Sequence, residues 1–526
     1  MSMALPGPMA LTSTTTMEHT ILTIARRRTP FRRLLLASLV AVAFTGCAIQ
    51  PRSLTADELR TAVQQDRSRM FAEQEPLQGA ITLEEAMARA IKYNLDHRLK
   101  LMEEAVSQRQ LDLSRTDLLP KLAASAGYTH RDNVLASSSR SVRTGTESLE
   151  PSTSTDDERY TTDLTLSWNV LDFGVSYYQA SQQADRLLVA QERRRKVLHL
   201  LMQQTRQAYW QAAGAQALQG KVEPVLALAR QALEDARKVE VEKLRSPLEA
   251  LTYQRQLLDI VRQLEAVRDD LAQAKPRLAA IMNLGPGRPF EVSGALTLDV
   301  PKLAISTDVM EETALTHRPE LVEAHYNERI GLLETRKAMA KLFPGIELSL
   351  GGHYDSNSYL VNQHWGDVGV KVSWNLLNVL NAGKIRGLAQ AQLEVAQRQR
   401  LALNMAVLTQ VHVAHLDYLG KLRQYELTQQ LHTVEQRILQ YTRNAASANA
   451  QSKLEEIRAA ATAMMAELRL YQNYGALQGA YGQVIATLGL DPLPESVGAH
   501  DLKTLGEAVR ASEQAWQKVI DPQGGT

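Results

Sequence analysis

Hydrophobic and polar residues alternate in four short stretches of the chain. Leu164, Leu166, Trp168 and Val170 are interleaved with Thr165, Ser167 and Asn169, and Val370, Val372, Trp374 and Leu376 with Lys371, Ser373 and Asn375. Leu122, Ala124, Ala126 and Tyr128 form a third stretch, and Ile346, Leu348 and Leu350 a fourth. A period of two gives a strand one apolar and one polar face, so four such strands are predicted. Elsewhere the spacing is helical. Helical runs are predicted over 83–117 and 310–341. Longer ones run over 175–240, from the break at 243–247 to Met282, to about Asn444, and from the break at 445–452 to Ala486. At 1.5 Å per residue the 175–240 helix would extend about 100 Å. No single globular core covers that length, so these helices are expected to pack on one another as coiled coils. Pro224 falls inside the first long helix, where a kink or break is expected; its counterpart Gln430 imposes none.

The elements recur. Leu118-Leu119-Pro120 matches Leu342-Phe343-Pro344 at an offset of 224, and Asn94-Leu95-Asp96 pairs with Arg318-Pro319-Glu320 at the same offset. Ser167-Trp168-Asn169-Val170-Leu171 matches Ser373-Trp374-Asn375-Leu376-Leu377 at 206, as do Leu248-Glu249 and Leu454-Glu455. The chain therefore reads as one unit used twice, a signal that takes precedence over any local motif. The first copy is placed at 81–285 and the second at 309–490. They are joined by 286–308, preceded by 47–80 and followed by a tail at 491–526.

The first 46 residues read as a secretory signal. Arg26, Arg27, Arg28, Arg32 and Arg33 form a basic stretch, and 34–44 is apolar apart from Ser38. Phe44-Thr45-Gly46-Cys47 resembles a bacterial lipobox, with Phe44 where Leu is usual. That resemblance implies lipidation of Cys47, with palmitate among the acyl groups, and outer-membrane sorting, since Ala48 rather than Asp follows. The other reading is a buried cysteine beside a signal anchor.

Alternation by itself does not separate a half-buried soluble sheet from an outer-membrane barrel, whose apolar face meets lipid and whose polar face meets the lumen. The signal and the helix lengths favour the barrel. Four strands are half of the minimum for closure, about eight, and an open edge in hydrocarbon leaves backbone groups unsatisfied. Several copies are therefore expected to share one barrel.

These residues resemble the outer-membrane efflux proteins of the TolC family. The resemblance is carried by Leu83-Glu84-Glu85-Ala86-Met87, Leu119-Pro120, Trp168-Asn169-Val170-Leu171-Asp172-Phe173-Gly174 and Leu488-Gly489-Leu490-Asp491-Pro492, in that order and over both copies. It implies a mainly α fold with a membrane β-barrel portion. In it a homotrimer builds a twelve-strand barrel, four strands per chain, on a coiled-coil α-barrel, with 286–306, 489–526 and 49–79 as a belt around its middle. The implied function is an exit duct in the bacterial outer membrane for efflux or type I secretion, lipid-anchored and projecting into the periplasm. A periplasmic adaptor and an inner-membrane transporter are the implied partners, besides outer-membrane lipid. The competing reading is a periplasmic coiled-coil scaffold lipoprotein without a pore.

The family's helix breaks are tips where adaptors dock, usually written Gly-x-x-Ser-x-Leu-Asp. Here Lys243, Ser246, Leu248 and Glu249 match at the first tip, and Asn449, Ser452, Leu454 and Glu455 at the second. Lys243 and Asn449 replace glycine, and lysine takes a left-handed turn less readily than asparagine. Gate residues map onto Glu455 and, with reversed charge, Arg458, with Glu456 and Glu249 as neighbouring candidates. A threefold ring of Glu455 would favour cations; a solvated helix start, where glutamate suits the dipole, is the other reading. Trp168, Trp374 and Tyr128 are candidate membrane-belt aromatics. The run Arg193-Arg194-Arg195-Lys196 is expected to be a solvated face, and the Ser/Thr-rich stretch 131–160 a polar outer loop.

Composition narrows the chemistry. The 526 residues carry 59 Lys+Arg against 58 Asp+Glu, which argues against a nucleic-acid binder. One cysteine excludes an internal disulfide framework. Mean hydropathy of −0.26 excludes a polytopic helical membrane protein but not a barrel. No His-Glu-x-x-His, P-loop or Gly-x-Ser-x-Gly is present. His412 and His415 share a helix face without an evident third ligand. No catalytic residue, cofactor or metal is expected.

Overall fold

A computed structural model of the chain describes residues 51–148, 150–242, 246–293, 298–447, 453–494 and 497–521. The signal segment, Cys47, Lys243, Asn449 and Ser452 lie outside the described residues. The chain divides into two compact units, Met1–Arg67 and Ser68–Thr526. In the first, α1 (Ala56–Met70) starts with a reciprocal cap: Thr55 Oγ1 accepts from Glu58 N, and the Glu58 carboxylate accepts from Thr55 N.

The second unit is mainly helical. α2 (Leu83–Tyr93) and α3 (Leu95–Thr116) lead to β1 (Lys121–His130), the short pair β2 (Ala136–Ser137) and β3 (Ser152–Thr153), and β4 (Glu158–Asn169). Then come α4 (Val170–Val241) and α5 (Pro247–Ile281). After a linker, α6 (Thr307–His317), α7 (Pro319–Ala340), β5 (Gly345–Asp355), β6 (His364–Ser373), the single turn α8 (Leu376–Leu380), α9 (Ala382–Ser447) and α10 (Lys453–Leu488) repeat that order. α11 (Leu502–Ile520) closes the chain, with Leu505 and Val509 packed among Met87, Ile91 and Leu198. Bounds recur at the sequence offsets. α3 and α7 are both 22 residues long and start 224 apart, and α4 and α9 end 206 apart.

Each expected helical run over 83–117 and 310–341 is in fact two helices. Asn94 divides the first: its side chain accepts from Asp96 N and His97 N, ending α2 and starting α3. Arg318 divides the second, before Pro319 at the first position of α7. The strand-to-helix junctions use one device twice, Asn169 accepting from Leu171 N and Asp172 N and Asn375 from Asn378 N.

α4 passes through Pro224 as one 72-residue helix, so the expected break is absent. Pro224 and Gly220, whose carbonyl loses its donor, are both exposed, so water takes that acceptor. Leu218, Val222 and Leu226 bury the opposite side in one cluster with α5 and α10, and burial at about 1.5–3 kcal/mol per large side chain offsets a proline cost of about 3.

The basic run on α4 is a set of ion pairs, in which Arg193 and Lys196 stay exposed as expected while Arg194 and Arg195 are half-buried. Arg193 reaches Glu323 (2.7 Å) and Lys196 reaches Glu320 (3.4 Å), both on α7. Arg194 pairs with Glu104 of α3 at 2.7 Å, and Arg400 of α9 pairs with Glu328 of α7 at 2.9 Å, the same pair displaced by the repeat. Arg195 grips Asp491 through two bonds of 3.0 and 2.9 Å, and buried His199 adds a third contact at 3.0 Å. Burial pushes the Asp491 carboxyl up, but the hydrogen bonds from His199 and Arg195 prevail and hold it below the usual range. A depressed folded pKa contributes stability that is present above about pH 4 and lost as pH falls through the folded value. Asp491→Asn is therefore expected to lower stability at pH 7 by about 1 kcal/mol, with the gap to the wild type closing below about pH 4. Thermal denaturation of both proteins across pH checks this; a gap that persists in acid refutes it.

Candidate functional site: a two-faced sheet and two helix tips

The sheet runs β1-β4-β5-β6, antiparallel throughout, and its two edges β1 and β6 have no outer partner among the described residues. Register sorts the side chains. Leu122, Leu166, Leu350 and Val368 stand opposite one another across the four strands, as do Trp168, Leu348 and Val370 across three. Directly opposed residues share a face, so one face is apolar along every strand. It is bare: Val368 is 79% exposed, Val370 69% and Leu122 66%. A face of this kind exposed to water would be a docking or lipid-contacting surface.

Aromatic residues bound this face at both ends. Trp168 lies near the helix end and meets Phe173 edge-on at 5.8 Å. Trp374, expected inside the strand, lies just beyond the end of β6 because the chain turns into α8; its Nε1 donates to Leu342 O at 3.0 Å. Tyr128 is at the opposite end, 5.0 Å from Tyr160, with Tyr354 stacked on His364 at 4.7 Å nearby. The structure thus adds Tyr160 and Tyr354 to the three aromatics the sequence singled out. Tyr160 opposes Tyr128 in the register, a signal that pairing the predicted strands would have exposed.

The other face carries Ser125, Asp163, Thr165, Ser167, Glu347, His353, Asp367 and Lys371 in the alternate positions. At the end of the sheet away from the helices the described residues of 131–157 form a loop with the β2–β3 pair in it, and β4 begins at Glu158, inside the expected loop. Asn357 ties the loop down, accepting from Asp156 N and donating to Ser154 O.

The tips are unequal. Ser246 precedes Pro247 at the start of α5 and makes no side-chain cap, Leu248 is exposed and Glu249 sits in the first turn. Leu454, its counterpart, is buried with Leu257 and Ile457. Glu456 pairs with Lys453 (2.8 Å), and Arg458 bridges Glu455 (3.0 Å) and Gln256 of α5 (2.9 Å). Arg458 thus sits against Glu455 and ties the second tip to the first. His412 contacts Glu311 at 2.7 Å, and among the described residues no cluster is arranged to hold a metal. No described helix is long and apolar enough to cross a membrane.

No family profile and no curated protein matches the sequence. Solved structures do match the fold. The CusC transmembrane channel aligns at TM-score 0.59 and 19% identity over 79% of this chain and 95% of that one. The outer-membrane channel CmeC of Campylobacter jejuni aligns at 0.60 and 14%, over 84% and 94%. The MtrE outer-membrane channel of Neisseria gonorrhoeae, solved in its open state, aligns at 0.58 and 16%, over 77% and 88%. The fold of this chain is the fold of these outer-membrane channels, in agreement with the resemblance carried by its motifs.

Proposed function

We propose that this chain is one protomer of a TolC-type exit duct in the bacterial outer membrane, a passive conduit for efflux or secretion that works with a periplasmic adaptor and an inner-membrane transporter. The observation that carries the reading is the sheet. It has a continuous apolar face between two aromatic bands, a polar face behind it, and two bare edges. In hydrocarbon the edges need partners, and a second copy supplies them by pairing β6 with the next β1. Three copies of four strands make a closed barrel of ordinary size.

The helices support the same assembly. α9 leaves Leu388, Val395, Leu401 and Met405 exposed, and α3 leaves Leu99, Met102, Val106 and Leu113 exposed. Both stripes fit a second copy. In this reading 81–285 and 309–490 are the two repeats, the tips meet the adaptor through Ser246 and exposed Leu248, whereas Leu454 is packed inside the second tip and not available for docking, and Cys47 carries the lipid. Arg458 counters Glu455 at the tip, so an acidic ring there is expected to be weak. Transport needs no chemistry from this chain; the energy comes from the transporter.

The test is assembly together with conductance. Full-length protein purified in mild detergent is expected to run as a trimer and to open ion-conducting pores in planar bilayers. A monomer at every concentration, washed from membranes by salt and silent in bilayers, would favour the scaffold instead.

A further inference from the structure

A row of side chains crosses all four strands on the polar face of the sheet. Ser125 Oγ of β1 donates to Asp163 Oδ2 of β4 at 3.0 Å. His353 of β5 places Nδ1 2.7 Å from Asp163 Oδ1, and its Nε2 lies 3.2 Å from Asp367 Oδ2 of β6. That second nitrogen is buried and makes no hydrogen bond. Trp365 lies opposite His353 and stacks on its ring, 5.2 Å between centroids and 20° from parallel. Gly351 makes the room: a Cβ there would stand 2.5 Å from His353 Nε2 and 2.7 Å from Asp367 Oδ1.

The chemistry follows from the tautomer. Asp163 accepts only a hydrogen, so Nδ1 carries the proton, and the neutral ring turns its Nε2 lone pair toward a second carboxylate. That contact is unfavourable until Nε2 binds a proton and donates to Asp367, when the imidazolium is paired on both sides and stacked on an indole. Two further pairs of opposite charges on this face are matched nearby. Arg159 sits 3.3 Å from Asp355 toward the outer end, and Glu347 opposes Lys371 toward the helix end. Lys121, at the start of β1, opposes Ser167. The row therefore contributes two net negative charges when His353 is neutral and one when it is protonated.

Resting on the duct reading, we infer that this row is a proton-tuned cation filter in the lumen. When β6 of one protomer pairs with β1 of the next, the symmetry of the assembly repeats the row at one level around the lumen, as a ring of separate copies. A ring of fixed carboxylates concentrates cations and repels anions. Its strength falls as acid protonates His353, in the range where histidine titrates.

Full-length protein in planar bilayers under a KCl gradient tests this by reversal potential at about pH 8.5 and about pH 5.5. The wild-type K⁺/Cl⁻ permeability ratio is expected to fall roughly twofold in acid. His353→Gln should abolish that step with single-channel conductance retained, and Asp163→Asn combined with Asp367→Asn should lower the alkaline ratio by roughly twofold. If His353→Gln does not assemble, Asp367→Asn alone, which removes the partner awaiting the proton, should move the step to lower pH in a pH series. A wild-type ratio independent of pH, or a His353→Gln pore that keeps the step, overturns the filter while leaving a conducting duct. Absence of any conductance removes the duct and the filter together.

Discussion

Gly489→Ala should be among the most damaging single substitutions in the helical region, and Gly287→Ala should not. Both glycines follow helix ends and both have positive φ, +73° and +78°, so each alanine meets a left-handed penalty of about 1–2 kcal/mol. Their surroundings differ. A Cβ on Gly287 meets nothing within 4 Å. A Cβ on Gly489 would lie 2.6 Å from His317 C, 2.7 Å from His317 O and 2.8 Å from Arg318 Cα. Those are backbone atoms at the break between α6 and α7, so no rotamer change relieves the overlap, and forced displacement adds about 1–3 kcal/mol. The total for Gly489→Ala is about 2–5 kcal/mol, against about 1–2 for Gly287→Ala. Moving the 489 backbone also carries Asp491 away from Arg195. Denaturation midpoints of the two variants in the same detergent decide the matter; equal losses would mean that strain alone, and not the close approach, sets the cost.

Gly489 also shows what could be read from the chain and what could not. It stood inside a recognised motif, yet nothing in its neighbours in sequence pointed to His317, which comes from 172 positions earlier. Periodicity located the long helices and the four strands because apolar spacing reports a face, and a face is a local property. Partners are not local. The ion pairs of the basic run at Arg193 were not legible because Glu104, Glu320, Glu323 and Asp491 are far away in sequence. Pro224 looked like a break because its own cost is local, whereas Leu218, Val222 and Leu226, which outweigh it, are held by α5 and α10. The row through His353 was missed for the same reason: Ser125, Asp163, His353 and Asp367 each look like an ordinary polar strand position until register lines them up.

Leu99→Glu should dissociate the assembly, and Gln399→Arg in the same chain should restore it. The argument uses the seam between α4 and α7, which lies inside one chain and is polar. Gln182 donates to Glu334 at 2.8 Å and accepts from Lys337 at 3.2 Å, Arg329 grips Asp185, and Arg193 reaches Glu323. Moving α4 forward by 206 and α7 back by 224 gives the seam that α9 would make with α3 of a second copy. There Gln182 becomes Leu388, facing Leu113 for Lys337 and Val106 for Ile330; Asp185 and Arg329 become Ala391 and Ala105; Arg193 and Glu323 become Gln399 and Leu99. The charged contacts of the inner seam are apolar or uncharged at these positions of the outer one, and Leu388, Leu99, Val106 and Leu113 are all exposed in the single chain. This is the composition of a surface completed by another copy. A glutamate at position 99 would place an unpaired carboxylate at the half-exposed rim of every such seam, as Arg193 is 56% and Glu323 20% exposed in the inner one, and would remove an apolar contact there, at about 1–2 kcal/mol each. Arginine at 399 would recreate the Arg193–Glu323 pair in its original geometry and remove that cost. Light scattering of the wild type, Leu99→Glu and the double variant reads the result directly. A Leu99→Glu protein that assembles like the wild type, or a double variant no better assembled than the single one, would show that α9 does not meet α3 in the register of the inner seam.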